Sequence, residues 1–168
     1  MVIPVVKILK KKSYLAMVRN AAGGNMRMFR NVYAEVDGVE QDILRNGEVS
    51  CAVFVSSILY LQNSVLEYEG KSRWISFTHA TVVSTEKDME KNGWILIRDL
   101  RQGAVITWEP ITYSDGAAHW HIGFYIGNDR AISNASNDTG IPSEHDATYD
   151  GKRSIVRIWW HPVLDEEG

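Results

Sequence analysis

Residues 119–134, reading His-Trp-His-Ile-Gly-Phe-Tyr-Ile-Gly-Asn-Asp-Arg-Ala-Ile-Ser-Asn, constrain the fold of this chain more than any other stretch. From Ile122 to Ile126 each residue is apolar, β-favouring or glycine, the make-up of a strand buried on both faces. Gly127-Asn128-Asp129 tolerates the positive φ of a tight turn, and residues 130–134 read as the returning strand. Alternation along a strand puts His119, His121 and Gly123 on one face. Gly123 carries no side chain, so it leaves room beside His121 for another element. The expected occupant is the segment 47–55, which contains Cys51, the single cysteine of the chain. A lone thiol close to a strand histidine is a candidate nucleophile and base.

The flanking sequence supplies helices first and strands afterwards. Apolar residues at 5, 6, 8, 9, 15 and 18, with lysines between them, predict an amphipathic helix over 5–18 that stops at Gly23-Gly24. Its lysines form a solvated face. Residues 26–48 read as a loop wall with turns at Asp37-Gly38 and Asn46-Gly47. A mostly buried helix is expected over 51–66, with the Ser50 hydroxyl as its N-cap. Cys51 then falls in the first turn, where free N–H groups and the helix dipole favour a thiolate. The competing reading is a small buried hydrophobe.

Residues 67–81 read as irregular, anchored by Trp74 and Phe77. A short helix over 84–92 is capped by Ser84 and ended by Gly93. Strands are expected at 94–97 and 103–108, the second closed by Glu109-Pro110, because proline cannot continue a central ladder. Two polar loops, 111–118 and 137–149, are the expected specificity walls. A last strand covers 153–160, before an acidic tail at 165–168. The result is one α+β domain over 1–168, with a helical and loop extension at 1–46 and the core at 47–160.

Eighteen Lys and Arg against 21 Asp and Glu give a net charge of −3. That balance provides no general attraction to nucleic acid or acidic lipid. One cysteine forms no internal disulfide, which suits a reducing compartment. The basic cluster follows the short N-terminal apolar run, the reverse of a secretory signal, and no run is long enough to span a bilayer. The expected location is cytoplasmic, with release by another route left open.

Three blocks carry a family resemblance. Cys51-Ala52-Val53-Phe54-Val55 resembles the Cys-Ser-Gly-Phe-Val segment of the NlpC/P60 papain-like cell-wall peptidases. Residues 103–108, Gly-Ala-Val-Ile-Thr-Trp, are similar to their Gly-Asp-Leu-Val-Phe-Phe strand, and 121–128 to their His-Val-Gly-Ile-Tyr-Ile-Gly-Asn block. The resemblance covers 47–134, about half the chain. It implies a papain-like fold with the cysteine helix packed on an antiparallel sheet, Cys51 as nucleophile and His121 as base. It further implies a cysteine peptidase or amidase acting on a peptide or peptidoglycan fragment, without a cofactor.

The chain departs from the family at several points. Ser50 stands where the family has Asp before its cysteine. The family's third polar residue lies twelve positions past the base, most often as His; here that position is Ser133. Its neighbour Asn134 is the second candidate for the orienting role, since the related CHAP amidases use a Glu or Asn there. The Tyr-x-Trp-Gly-Gly segment upstream of the cysteine is missing, and Tyr33 replaces it poorly by spacing. In the lecithin-retinol acyltransferase branch the histidine precedes the cysteine, so the order here argues against that chemistry. The alternatives are a non-catalytic binding module with a relic site, and an acyltransferase or hydrolase acting on a cytoplasmic substrate.

Other residues have candidate roles. Trp108, His119 and Trp120 flank the expected cleft and are candidates for substrate contact. His119 and His121 have the spacing of half a metal site, but position 125 is Tyr rather than a carboxylate, so no metal is expected. His145 is within reach of the site from its loop, whereas His79 and His161 read as incidental. The oligomeric state is left open.

Overall fold

The computed structural model describes residues 7–67, 73–113, 116–134 and 139–166. In chain order these form helix α1 (Lys10–Ala22), strands β1 (Tyr33–Val36) and β2 (Val39–Asp42), and helices α2 (Cys51–Leu61), α3 (Asn63–Glu67) and α4 (Val82–Lys91). Strands β3 (Ile95–Leu96), β4 (Val105–Thr112), β5 (Ala118–Gly127), β6 (Arg130–Asn134), β7 (Pro142–Asp146) and β8 (Ile155–Trp160) follow. Short 3-10 turns lie at Arg45–Gly47, ahead of α2, and at Pro162–Asp165, after β8. The architecture is α+β. β1 and β2 pair as a separate hairpin, and the other strands form one antiparallel sheet in the order β3-β8-β4-β5-β6-β7.

The turn between β5 and β6 has Asn128 and Asp129 at φ 52° and 54°, the paired positive angles of a tight hairpin turn. Alternation along the strands then separates two layers. Phe124 and its cross-strand partner Ile132 face the helices. The Phe124 ring centroid lies 5.4 Å from Phe54 of α2 and 5.7 Å from Tyr14 of α1, both edge-on. Tyr14 also stacks on Trp74 at 5.2 Å, so the N-terminal helix is part of the core. Burying each such ring stabilises the fold by about 1.5–3 kcal/mol. On the same face, Thr107 donates to Glu86 of α4 at 2.6 Å. The opposite face carries Trp108, His121, Gly123 and Ser133, paired as Trp108 with His121 and Gly123 with Ser133. The connection from β7 to β8 covers this second face, and Trp108 Nε1 donates to Ala147 O there at 2.7 Å.

Several elements differ from the sequence reading. The first helix covers Lys10–Ala22 rather than 5–18; residues 7–9 are not helical, and 5–6 lie outside the described residues. The wall at 26–48 contains the β1–β2 hairpin, whose exposed strands have no apolar alternation to betray them. The buried helix breaks at Gln62, dividing it into α2 and α3. Ser50 does not cap α2, because its hydroxyl donates instead to Gly47 O at 3.1 Å. Thr81, not Ser84, caps α4, with its hydroxyl oxygen accepting from Ser84 N at 3.2 Å. Phe77 is 68% exposed and anchors nothing, whereas Trp74 is fully buried.

Pro110 does not end β4. A register shift between Trp108 and Ile111 lets the strand run on to Thr112 past the missing N–H. The polar loop at 137–149 contains β7, which pairs with β6 along its whole length. The expected tail begins in the 3-10 turn, where Asp165 accepts from Trp160 Nε1 at 3.0 Å. Residues 114–115 and 137–138 of the expected loops and 167–168 of the tail lie outside the described residues.

Gly123 has a different neighbour from the one expected. A Cβ there would stand 2.6 Å from Ile132 O, 2.8 Å from Ser133 Cβ and 3.0 Å from the Trp108 ring. The space is therefore filled by β6 and Trp108, not by the cysteine segment. Gly123→Ala is expected to cost about 1–3 kcal/mol through overpacking. Gly23→Ala, where a Cβ would meet nothing nearer than 3.5 Å, is the control with a small effect. Urea unfolding of both variants checks this; equal midpoints would show that the strands part freely at Gly123.

Candidate functional site

The candidate site lies where β5 emerges from its pairing with β6. Cys51 is the first residue of α2 and is 7% exposed. Its Sγ lies 4.0 Å from Trp120 O, and the N–H groups of Ile122 and Ala52 point toward it. Tyr125 exchanges backbone hydrogen bonds with Gly103 and Ala104 on the β4 side. Residues at odd positions of β5 therefore direct their backbone groups to β4, and Trp120 and Ile122 direct theirs to the β6 side. β6 ends at Asn134 and last pairs with β5 at Gly123–Ser133, so the sulfur fills the strand margin just beyond. The thiol thus touches the backbone on both sides of His121.

The imidazole of His121 projects from the opposite face into a dry layer and is 1% exposed. Its ring lies 5.2 Å from that of Trp108 and 6.1 Å from that of Tyr149. Nε2 lies 2.8 Å from Ser133 Oγ. The same oxygen lies 2.7 Å from His145 Nε2 and 2.9 Å from Tyr149 Oη. His145 Nδ1 in turn lies 2.7 Å from Asp146 O, and its ring stacks on Tyr149 at 4.1 Å. Among the described residues the buried His121 Nδ1 has no hydrogen-bond partner, so the thiol and the imidazole are not hydrogen-bonded to each other.

Burial dominates the protonation of both groups. Desolvation pushes the Cys51 thiol up from 9.0, against the opposing pull of the Ile122 and Ala52 N–H groups and the Arg153 charge. The thiolate expected from the helix start is therefore not the resting form. Desolvation likewise holds His121 well below 6.5, reinforced by Arg153 and His145. The resting pair is a neutral thiol and a neutral imidazole. Arg153, fixed by Glu109 O at 2.9 Å and His119 O at 3.2 Å, favours the thiolate while disfavouring the imidazolium.

A cleft of about 170 Å³ opens beside the sulfur, lined by Cys51, Val49, Val82, Tyr113, His119 and Trp120 among others. His119 and Trp120 thus sit where substrate contact was expected, with the Arg157 guanidinium 4.4 Å from the Trp120 ring centroid. Trp108 does not. It is fully buried beneath His121 and packs the layer rather than lining a groove. Asn134 does not meet His121 either; its Nδ2 donates to Gly47 O at 2.8 Å and ties down the loop before α2. Ser133 alone of the two touches the imidazole. His145, expected to reach the site from a loop, does so from strand β7, and Tyr149, which no sequence signal singles out, joins it on Ser133. The available signal was His145's own twelve-residue offset from Ser133, repeating that of Ser133 from His121.

No protein-family model matches the chain, and no curated protein matches it. No helix among the described residues is long and apolar enough to cross a membrane. Among the same residues, no group of three or more His, Cys, Asp or Glu is arranged to hold a metal ion.

The buried histidines set an acid limit on stability. Burial holds His121, His145 and His161 below 6.5 in the folded state, while the unfolded chain takes up protons at the ordinary value. Unfolding therefore binds protons below 6.5, so stability present above that value is lost as pH falls through the depressed folded values. Urea midpoints at pH 7.5, 6.0 and 5.0 should decline in that order. A midpoint constant from 7.5 to 5.0 would contradict the assigned burial.

Proposed function

We propose that the protein is a cysteine hydrolase of papain-like, NlpC/P60 type that cleaves an amide bond in a peptide, with peptidoglycan stem peptides as the leading substrate class. The observation that carries this reading is the buried, unpartnered Nδ1 of His121, whose other nitrogen is held by Ser133 while Cys51 Sγ rests on the backbone flanking the same residue. An unpaired nitrogen in a dry layer costs roughly 1–3 kcal/mol. Accepting the thiol proton gives that nitrogen a use.

In the proposed reaction the substrate carbonyl carbon approaches Sγ from the cleft. The S–C bond forms as the thiol proton passes to His121 Nδ1, so proton transfer accompanies attack instead of preceding it. Backbone N–H groups at the uncapped start of α2 receive the developing oxyanion. The imidazolium then protonates the leaving amine as the C–N bond breaks. Water, deprotonated by the same nitrogen, cleaves the thioester and restores the thiol. The cleft's volume is below the roughly 300 Å³ of pockets that enclose a small molecule. It suits a chain lying across the surface, with one or two residues seated beside Trp120 and His119.

One observation favours a second reading, a binding module with an inert thiol: Cys51 is buried and lacks a hydrogen bond to His121. Digestion of purified muropeptides, read by mass spectrometry, separates the two. Cleavage should vanish in Cys51→Ala, and kcat/KM should fall about 10²–10⁴-fold in His121→Ala. A base works only unprotonated, so the depressed His121 value puts the acid limb of kcat/KM below pH 6.5. Intact muropeptides, together with an iodoacetamide rate unchanged by His121→Ala, would leave the binding module.

A further inference from the structure

We infer that His145 is a positioning residue for His121, acting through the Ser133 hydroxyl, and that together they fix which imidazole nitrogen is free to take a proton. The inference rests on the hydrolase reading for its purpose, but its geometry is independent of it. The argument is an accounting of protons. Asp146 O is a carbonyl and only accepts, so His145 Nδ1 donates to it at 2.7 Å. A neutral His145 then offers a bare Nε2. The Ser133 hydroxyl, 2.7 Å away, has one proton and gives it to that nitrogen. The two lone pairs of Ser133 Oγ remain as acceptors, one for Tyr149 Oη at 2.9 Å and one for His121 Nε2 at 2.8 Å. His121 therefore has its proton on Nε2 and a lone pair on Nδ1, the nitrogen without a partner.

A serine alone could not impose this state, because a hydroxyl either donates to an imidazole or accepts from it. His145 removes that freedom by claiming the hydroxyl proton, and Tyr149 occupies the second lone pair. The ring of His145 is itself held by its stack on Tyr149 and by Trp108, 5.7 Å away. The orienting role thus falls to a histidine one strand further out, with Ser133 as the connector.

Long-range ¹H–¹⁵N spectra of histidine-labelled protein at pH 7.5 test the assignment. The wild type should show His121 protonated on Nε2 and His145 on Nδ1. His121 protonated on Nδ1 overturns the relay, whatever the variants do. In His145→Leu, His121 should become a mixture of tautomers, and the alkylation rate of Cys51 should fall on the order of 10-fold, as when the partner orienting an imidazole is lost elsewhere. His145→Gln, whose amide oxygen can accept the Ser133 proton, should keep both signatures. Unchanged spectra in His145→Leu, or equal losses in Leu and Gln, would assign His145 to packing and overturn the proposal. The expected tautomers with muropeptides left intact would overturn the wall-peptide substrate and leave the relay standing.

Discussion

A hydroxyl has one proton and two lone pairs, and Ser133 has three partners: His121, His145 and Tyr149, all within 3 Å of one oxygen. In water such an oxygen would exchange its partners freely. Here Ser133 is 1% exposed and solvent supplies no substitute, so losing any one partner leaves a buried polar atom unpaired. The packing around it follows from that requirement. Gly123 has no side chain because a Cβ would strike Ser133 and the backbone of β6. Trp108 fills the floor under His121 and His145, and its indole N–H is met by Ala147 O. A small polar cluster thus lies between the sheet and the β7–β8 connection, on the side away from the helices, with His121 and Ser133 buried and His145 and Tyr149 at its half-buried rim.

The sheet acts as a partition between the parts of the proposed reaction. The helix that carries Cys51 packs on one face through Phe54 and Phe124, and the imidazole extends from the other. The link between them is the β5 backbone: its pairing with β6 has its last pair at Gly123–Ser133, and the sulfur lies against the Trp120 carbonyl and the Ile122 amide on either side of His121. Burial then decides the electrostatics. A helix start and a nearby arginine favour a thiolate, yet desolvation outweighs them and the thiol stays protonated. For the proposed reaction, a neutral imidazole and a neutral thiol fit a base that acts only when substrate arrives. They give no support to a preformed ion pair.

What was legible in the sequence was what burial writes into it. The β5–β6 hairpin combined an apolar run with Gly-Asn-Asp turn chemistry, and Ser133 followed from counting along it. Strands with little buried surface left no such trace. β7 reads Pro-Ser-Glu-His-Asp, an edge strand whose side chains resemble a loop, so the sequence puts His145 within reach of the site but gives it neither a strand position nor a named partner. The β1–β2 hairpin was hidden for the same reason. Composition also misled in the opposite direction. Trp108 looked like a cleft wall because it neighbours the site in register, but alternation points it into the layer around His121. Phe77 looked like an anchor for being aromatic, although nothing in its neighbourhood calls for burial.

Asn134 shows how closely the two halves of the site are tied. Strand alternation turns it away from His121, toward the helices, so it was never placed to orient the imidazole. Its amide instead holds Gly47 O, the same carbonyl that receives the Ser50 hydroxyl. Gly47 has φ +98°, and a Cβ on it would lie 2.4 Å from Gly140 O, so the turn before α2 is pressed against the backbone just ahead of β7. The last residue of β6 therefore sets where α2 begins, and with it where the sulfur sits. Ser133 and Asn134, adjacent in the chain, face opposite sides of the sheet. One holds the His121 nitrogen and the other holds the Gly47 turn that leads into the cysteine helix, and a single paired strand carries both.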